Sequence, residues 1–150
     1  MATLPAIEFR IEKIRDDLTK MPNAIFGTQN RVVNLQAELD AAKAEDVADA
    51  KVALNEVIAS ATFEAMTDGR IDGKNQATRD VQLKAILSED KDVLAAQQYL
   101  FEAERLAREI ERELAMAQSD LAYAMNTFRA AKYLADLESA QLRSLSVEGE

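Results

Sequence analysis

The feature that most constrains this chain is a run of apolar residues recurring at three- and four-residue intervals in its C-terminal half. Such spacing places about one side chain per turn on a single stripe of an α-helix, the heptad pattern typical of coiled coils. It predicts one very long helix between Glu89 and Arg143. We call these thirteen positions the C-terminal seam: Val93, Ala96, Leu100, Ala103, Ala107, Ile110, Leu114, Ala117, Leu121, Ala124, Phe128, Ala131 and Ala135.

The composition supports a helical chain. Aromatic residues make up 5%, Trp is absent, and there are only four Gly and two Pro in 150 residues, which favours long helices over sheets. We therefore predict an all-α fold, a helical hairpin or bundle with coiled-coil-like heptads. It divides into an N-terminal helical region (1–66), a Gly-containing charged connection (67–77) and a C-terminal helical region (78–150).

The N-terminal region begins with an apolar pattern that stops at a proline. It predicts a first helix ended by Pro22, with a turn over Asn23–Thr28 that includes Gly27. The positions of this pattern are Leu4, Ile7, Ile11, Ile14, Leu18 and Met21.

A second N-terminal pattern starts near Thr28 and contains one irregular step. The five-residue interval from Ala42 to Val47 breaks the three- and four-residue alternation. Either the helix carries a local irregularity there or it divides in two, and we expect this Ala-rich stretch to pack weakly. The positions of the pattern are Val32, Leu35, Leu39, Ala42, Val47, Ala50, Leu54, Val57 and Ala61.

The C-terminal seam is rich in Ala and flanked by further apolar residues, which predicts self-association. The broken N-terminal registers offer too little surface to cover so long a seam. The flanking residues are Leu106, Met116, Met125, Tyr133, Leu134 and Leu137. The predicted homo-oligomer interface comprises Leu100, Ile110, Leu114, Leu121 and Phe128.

Between the two helical regions lies "TDGRIDGKNQATRD" (Thr67–Asp80). A phosphate-binding loop needs two Gly five residues apart before Lys-Ser or Lys-Thr, whereas Gly69 and Gly73 are one residue too close and Lys74 precedes Asn75. A calcium loop needs alternating acids that close on a Glu, which is missing. The stretch therefore predicts tight turns at Asp68-Gly69 and at Asp72-Gly73, or a small hairpin. A short helix from Thr78 to Leu87 follows, and Ser88 is the predicted N-cap of the long helix.

The charge distribution limits where a polyanion could bind. The net charge is −9, which disfavours a nucleic-acid contact over the whole surface. Glu38–Glu64 holds seven acids against two lysines. The candidate nucleic-acid contacts are the cations in and after the connection, Arg70, Lys74, Arg79 and Lys84.

The chain has neither Cys nor His, which removes thiolate nucleophiles, imidazole bases and the usual zinc ligands. We expect no enzymatic activity, no cofactor and no metal. No apolar run approaches the roughly 20 residues of a membrane span, and no signal-peptide pattern opens the sequence. We expect a soluble protein of the cytoplasm, in a bacterial host cell.

The stretch "ILSEDKDVL" (Ile86–Leu94) resembles the UvsY family of phage recombination mediators, with a weaker similarity back to "KVALNEV" (Lys51–Val57). The resemblance implies a helical homo-oligomer that binds single-stranded DNA and helps load a RecA-like recombinase against a single-strand-binding protein. Where the family carries a short basic DNA-contact motif, this chain has residues 54–57, "LNEV", so no contact residue is transferred there.

Two other classes of function remain open. An acidic helical protein could imitate nucleic acid and occupy a basic host protein, and acids gathered on one folded face would favour that hypothesis. A coiled-coil structural or chaperone-like protein could clasp a partner between long helices. A basic rim on an oligomer would favour the recombination mediator.

Overall fold

A computed structural model describes the backbone of residues 4–147 and the side chains of residues 10–146. All regular structure in these residues is helical, so the all-α prediction is confirmed. The alternative of a small β-hairpin in the connection was wrong. The elements are α1 (Leu4–Ala41), a π-helical segment (Ala42–Val47), α2 (Ala48–Thr67), α3 (Gln76–Glu89) and α4 (Lys91–Val147).

The helices contribute to two compact units. The central unit comprises Gln36–Arg112, and the terminal unit comprises the chain up to Leu35 together with the chain from Glu113. The unit boundaries fall inside α1 and α4, so they divide the chain differently from the three sequence regions.

In the terminal unit, α1 and α4 run antiparallel. Arg10 Nε lies 3.6 Å from Glu138 Oε1, and further along α1 Ile25 shares a hollow with Phe128 of α4. Residue numbers thus rise along α1 as they fall along α4. Ile11 and Leu114 are buried in this unit, as the two seams predict.

α1 continues as an α-helix through Pro22, so the predicted helix end and the turn over residues 23–28 were wrong. A proline inside a helix removes one backbone hydrogen bond and costs about 3 kcal/mol. Leu18, Met21 and Ile25 remain half-buried on either side of it, and burial of apolar side chains over successive turns offsets the local cost. Side-chain burial at the first two seam positions, 4 and 7, lies outside the described residues.

The irregular step in the second pattern is a π-helical segment, Ala42–Val47. A π-turn holds one more residue than an α-turn, so Val47 lies on the same face as Ala42 despite the longer interval. The helix then continues as α2, and the local irregularity is the alternative that the structure confirms. Weak packing was a wrong expectation, because Ala42 and Val47 are 8% exposed and Ala50 is fully buried.

The predicted very long helix is confirmed as α4, 57 residues long. All thirteen residues of the C-terminal seam are buried or half-buried. The helices of this same chain therefore cover the seam, and the argument that a second copy must cover it loses its basis. The five predicted interface residues lie on this covered face, and the homo-oligomer stays a prediction.

The apolar residues beside the C-terminal seam are mostly exposed. Met125 is half-buried, whereas the other five range from 44% to 66% exposed: Leu106, Met116, Tyr133, Leu134 and Leu137. They do not widen the packed face within the chain.

The junction between α3 and α4 differs from the prediction at the cap. α3 extends to Glu89, and Ser88 Oγ donates to the Ala85 carbonyl at 2.7 Å, so Ser88 does not cap α4. Asp90 does: its Oδ1 accepts from the backbone N–H groups of Asp92 at 2.9 Å and Val93 at 3.0 Å. Its extended backbone (φ −72°, ψ 122°) suits an N-cap.

None of the helices in the described part of the chain combines the length and the apolarity needed to cross a bilayer.

Candidate functional site

The first half of the connection is a helix-terminating motif. Gly69 has φ +68°, the Arg70 N–H donates to the Ala65 carbonyl at 3.0 Å, and the Gly69 N–H donates to the Met66 carbonyl at 3.3 Å. This pair of bonds with a left-handed glycine is the Schellman motif. The predicted turn at Asp68-Gly69 is confirmed, and its role is to end α2.

The second half of the connection is fastened to α3 through Gly73. The Gly73 N–H donates to Gln82 Oε1 at 3.0 Å, and the Gly73 carbonyl accepts from Arg79 Nε at 2.8 Å. Gln82 also donates from Nε2 to Asp72 Oδ1 at 2.7 Å. A Cβ atom on residue 73 would lie 2.9 Å from the Arg79 backbone nitrogen and from Thr78 Cβ, so this close approach requires glycine.

Asn75 begins α3 as its N-cap. Its Oδ1 accepts from the backbone N–H and the hydroxyl of Thr78, both at 2.9 Å. Sequence reasoning missed this cap and the role of Gln82. The signal was present, because Asn is among the residues preferred at the N-cap, directly before an apolar helical pattern.

The four predicted cations have different surroundings. Arg70 Nη2 lies 3.6 Å from Asp68 Oδ2, and the Arg70 side chain is half exposed. The Arg79 guanidinium holds the Gly73 carbonyl, so part of its donor capacity is used inside the protein. Lys74 and Lys84 are exposed, and within the described residues neither forms an ion pair.

These cations do not form one dense patch. Arg79 and Lys84 are five residues apart on α3, which separates them by about 140° around the helix axis. Lys84 borders a shallow hollow between α3 and the start of α4. Residues 67–84 also contain Asp68, Asp72 and Asp80 among the four cations, so the local excess is a single positive charge.

The two sides of the central unit can be assigned from the helix register. Successive residues on a helix are 100° apart around its axis. Residues just before seam positions therefore lie on one side of the buried stripe, and residues just after seam positions lie on its other side. Lys43 Nζ and Glu111 Oε1, both just after seam positions, pair at 3.2 Å. Glu64 precedes the fully buried Ala65, which continues the second pattern four residues after Ala61, and Asp92 precedes Val93. Glu64 and Asp92 line one hollow between α2 and α4. On both antiparallel helices, the residues just before seam positions therefore lie on the same side of the central unit, and the residues just after them lie on the opposite side.

Within residues 46–64 and 92–109, the residues just before seam positions form a side that carries carboxylates and no cation. We call it the acidic face, and it also exposes Tyr99 (54%) and Leu106 (52%). Its remaining positions are Ala53, Ser60 and Ala95, with no Lys or Arg among them. Its seven carboxylates are all exposed: Asp46, Asp49, Glu56, Glu64, Asp92, Glu102 and Glu109.

The opposite side of the central unit mixes charges and carries α3. Lys43, Lys51 and Arg108 lie there with Glu111 around a second hollow. α3 lies on that side, because its residues share a hollow with Leu94 and Gln97, which follow seam positions. The acidic face is therefore left open by the other helices of its unit.

The acidic face is a spread of carboxylates, not a metal centre. In the part of the chain that the structure describes, no group of three or more acidic residues is placed to hold a metal ion. Sequence reasoning found the acids between Glu38 and Glu64 but missed the face, since it takes contributions from two helices far apart in the chain.

Comparison with known proteins gave no match to any protein-family model, curated protein or solved structure. The resemblance of Ile86–Leu94 to recombination mediators stays an expectation from the sequence.

Proposed function

We propose that this chain is a non-enzymatic, phage-type recombination mediator. In this proposal it binds single-stranded DNA through the cations of the connection and α3, acts as a homo-oligomer, and assists loading of a RecA-like recombinase. The observation that supports a binding role for the connection is its fixed geometry: Gly73 is bonded on both its N–H and its carbonyl, with exposed Lys74 next to it.

A fixed loop favours binding because less conformational freedom is lost when it meets a ligand. Lys74 follows a buried glycine and precedes the Asn75 cap, so its backbone is held on both sides. In this proposal Lys74 and Lys84 contact phosphates, Arg70 adds a third charge, and Arg79 positions the loop. Each subunit contributes few contacts, so useful affinity depends on several copies along one strand.

Self-association in this proposal uses the exposed flank of α4 in the terminal unit and not the covered seam. Met116, Tyr123 and Leu134 are 57%, 75% and 52% exposed, and all three directly precede seam positions. Exposed apolar residues aligned on one helix stripe are typical of protein contacts.

The test is a fluorescence anisotropy titration with labelled oligo-dT over a range of salt concentrations. The Lys74→Ala/Lys84→Ala variant should bind at least about tenfold more weakly, and its slope of log affinity against log salt should fall by about 0.7 for each phosphate that the variant no longer neutralises. The matched control, Lys13→Ala/Lys132→Ala, removes the same charge from exposed positions of the terminal unit and should bind like the native chain.

Equal binding by the two double variants would place any DNA site elsewhere. Absence of binding by the native chain at low salt would favour the second candidate function, an acidic inhibitor that imitates nucleic acid. The acidic face is the observation that favours this candidate, because it gathers seven carboxylates without a cation.

A further inference from the structure

We infer that the acidic face of the central unit is a docking surface for a basic amphipathic helix of a partner protein. This inference concerns a different side of the unit from the connection and does not depend on DNA binding there. Two observations carry it: the arrangement of apolar residues along α4, and the charge on both sides of them.

The apolar part of the surface is formed by Tyr99 and Leu106. They lie seven residues apart on α4, about two helical turns, and each is more than half exposed. Apolar side chains of a partner helix at three-, four- and seven-residue spacing can contact both at once, as in helix-in-groove recognition.

The charged part of the surface comes from both helices. On α4, Glu102 lies between the two apolar residues and accepts a hydrogen bond from Gln98 at 3.0 Å, and Glu109 follows Leu106. On α2, Glu56 and Glu64 form a second row of carboxylates beside the row on α4. A helix with Lys or Arg on both sides of an apolar strip would meet carboxylates along its length, which favours that orientation and speeds encounter.

The residues between the two rows of carboxylates are small, so the backbone of a partner helix can approach this surface closely. The hollow between α2 and α4 is bordered by the small side chains of Ser60, Ala61 and Ala95. Because α3 lies on the other side of the unit, no other helix of this unit competes for the position.

The chemistry of the face selects a protein partner over other ligands. Seven carboxylates repel nucleic acid, and no acidic group in the described residues is arranged for a metal. The chain's own helices are poor candidates for the basic helix, because the cations of α1 alternate with acids such as Asp16 and Asp17.

The test uses a synthetic helical peptide of Lys, Leu and Ala, about five turns long, with leucines at three- and four-residue spacing. Binding of the full chain is measured by isothermal titration calorimetry at physiological salt. Glu102→Gln/Glu109→Gln should weaken binding about tenfold. The control Glu104→Gln/Glu111→Gln has the same spacing on the same helix and the same charge change, but lies on the opposite side; it should change affinity by less than about twofold.

A second variant tests the apolar contact separately. Tyr99→Ser/Leu106→Ser leaves the net charge unchanged and should weaken binding of the Leu-containing peptide about tenfold, with no loss for a peptide in which the leucines are replaced by Ala. All six substituted positions are exposed or half-exposed, and circular dichroism checks that each variant keeps its helices.

Three outcomes would overturn the inference: equal weakening by the two Glu pairs, no effect of the Tyr99 and Leu106 changes, or an oligomer of the native chain that Glu102→Gln/Glu109→Gln dissociates in analytical ultracentrifugation. The last would assign the face to a second copy. The same acidic-face variant should keep or increase affinity for oligo-dT, so failure here is distinguishable from failure of the proposed DNA contact.

Discussion

The N-terminal helical run contains two interruptions that the chain accommodates differently. At Pro22, a residue unsuited to a helix interior stands in a helix that stays α. Between Ala42 and Val47, residues well suited to a helix wind into a π-segment. Local helix preference would suggest the reverse, so something other than preference controls the backbone at both places.

The register of the buried seam explains both the α-helix at Pro22 and the π-segment between Ala42 and Val47. Around Pro22 the interval from Met21 to Ile25 is four residues, so an α-helix keeps both side chains on the packed face. Between Ala42 and Val47 the interval is five, and an α-helix would turn the following seam away from its neighbour. The chain tolerates a local cost of about 3 kcal/mol at a proline, and it distorts the backbone only where the seam would otherwise be lost.

The largest expected effect comes from deleting Gln29, an exposed residue within α1. The deletion rotates the preceding part of the seam by about 100°, so Ile11, Leu18 and Ile25 can no longer face α4 together with Leu35. Removing several aliphatic side chains from the packed face should cost at least about 4 kcal/mol. Thermal denaturation followed by circular dichroism should show a much lower Tm and reduced helicity at 25 °C.

Deletion of Ala44 is the matched comparison to deletion of Gln29, because Ala44 is also exposed but lies in the π-segment. The interval from Ala42 to Val47 becomes four residues, so an α-helix can replace the π-segment with the seam intact. We expect a change within about 1 kcal/mol. If the two deletions proved equally damaging, register would not be the controlling factor.

A smaller effect, of opposite sign, is expected for Pro22→Ala. Pro22 is exposed, so the substitution restores a helical N–H donor and removes the ring's clash with the preceding turn while burying nothing new. Stability should rise by up to about 3 kcal/mol, measured by guanidinium denaturation. Unchanged or lower stability would mean that the proline ring itself stabilises the folded helix.

The smallest effect is expected for Gly27→Ala. Gly27 lies inside α1, and a Cβ built on it meets no atom within 4 Å, so the gain should be about 0.5–1 kcal/mol from helix preference alone. Gly73→Ala should instead destabilise, because its Cβ would meet the Arg79 backbone at 2.9 Å. The same denaturation measurement should therefore give opposite signs for the two substitutions.

The sequence predicts features that depend on residues close together in the chain, and it misses features that depend on contacts with distant segments. The spacing of apolar residues predicted α4, the stripe of α4 that packs and the irregular step at Val47, because periodicity is a property of one helix. It did not predict that the chain's own helices cover that stripe. It could not predict that α1 passes Pro22, since that depends on contacts with a distant segment. The sequence predicted Ser88 as the cap of α4, whereas the extended backbone at Asp90 and the two bonds that its carboxylate accepts make Asp90 the cap.

The candidate sites show the same limit. The cations near the connection were visible in the sequence, but the use of Arg79 to hold Gly73 depends on a turn that brings them together. The acidic face was missed because Glu56 and Glu102 lie on different helices, and only the antiparallel pairing in the central unit brings their sides together.

The exposure of the tyrosines has a spectroscopic consequence. The chain contains three Tyr and no Trp, and Tyr99, Tyr123 and Tyr133 are 54%, 75% and 66% exposed. Its ultraviolet emission therefore comes from phenol rings in contact with water, without the tryptophan signal that usually dominates. Tyr99 is the only one of the three on the acidic face, so phenylalanine at positions 123 and 133 would leave a single native fluorophore on that surface.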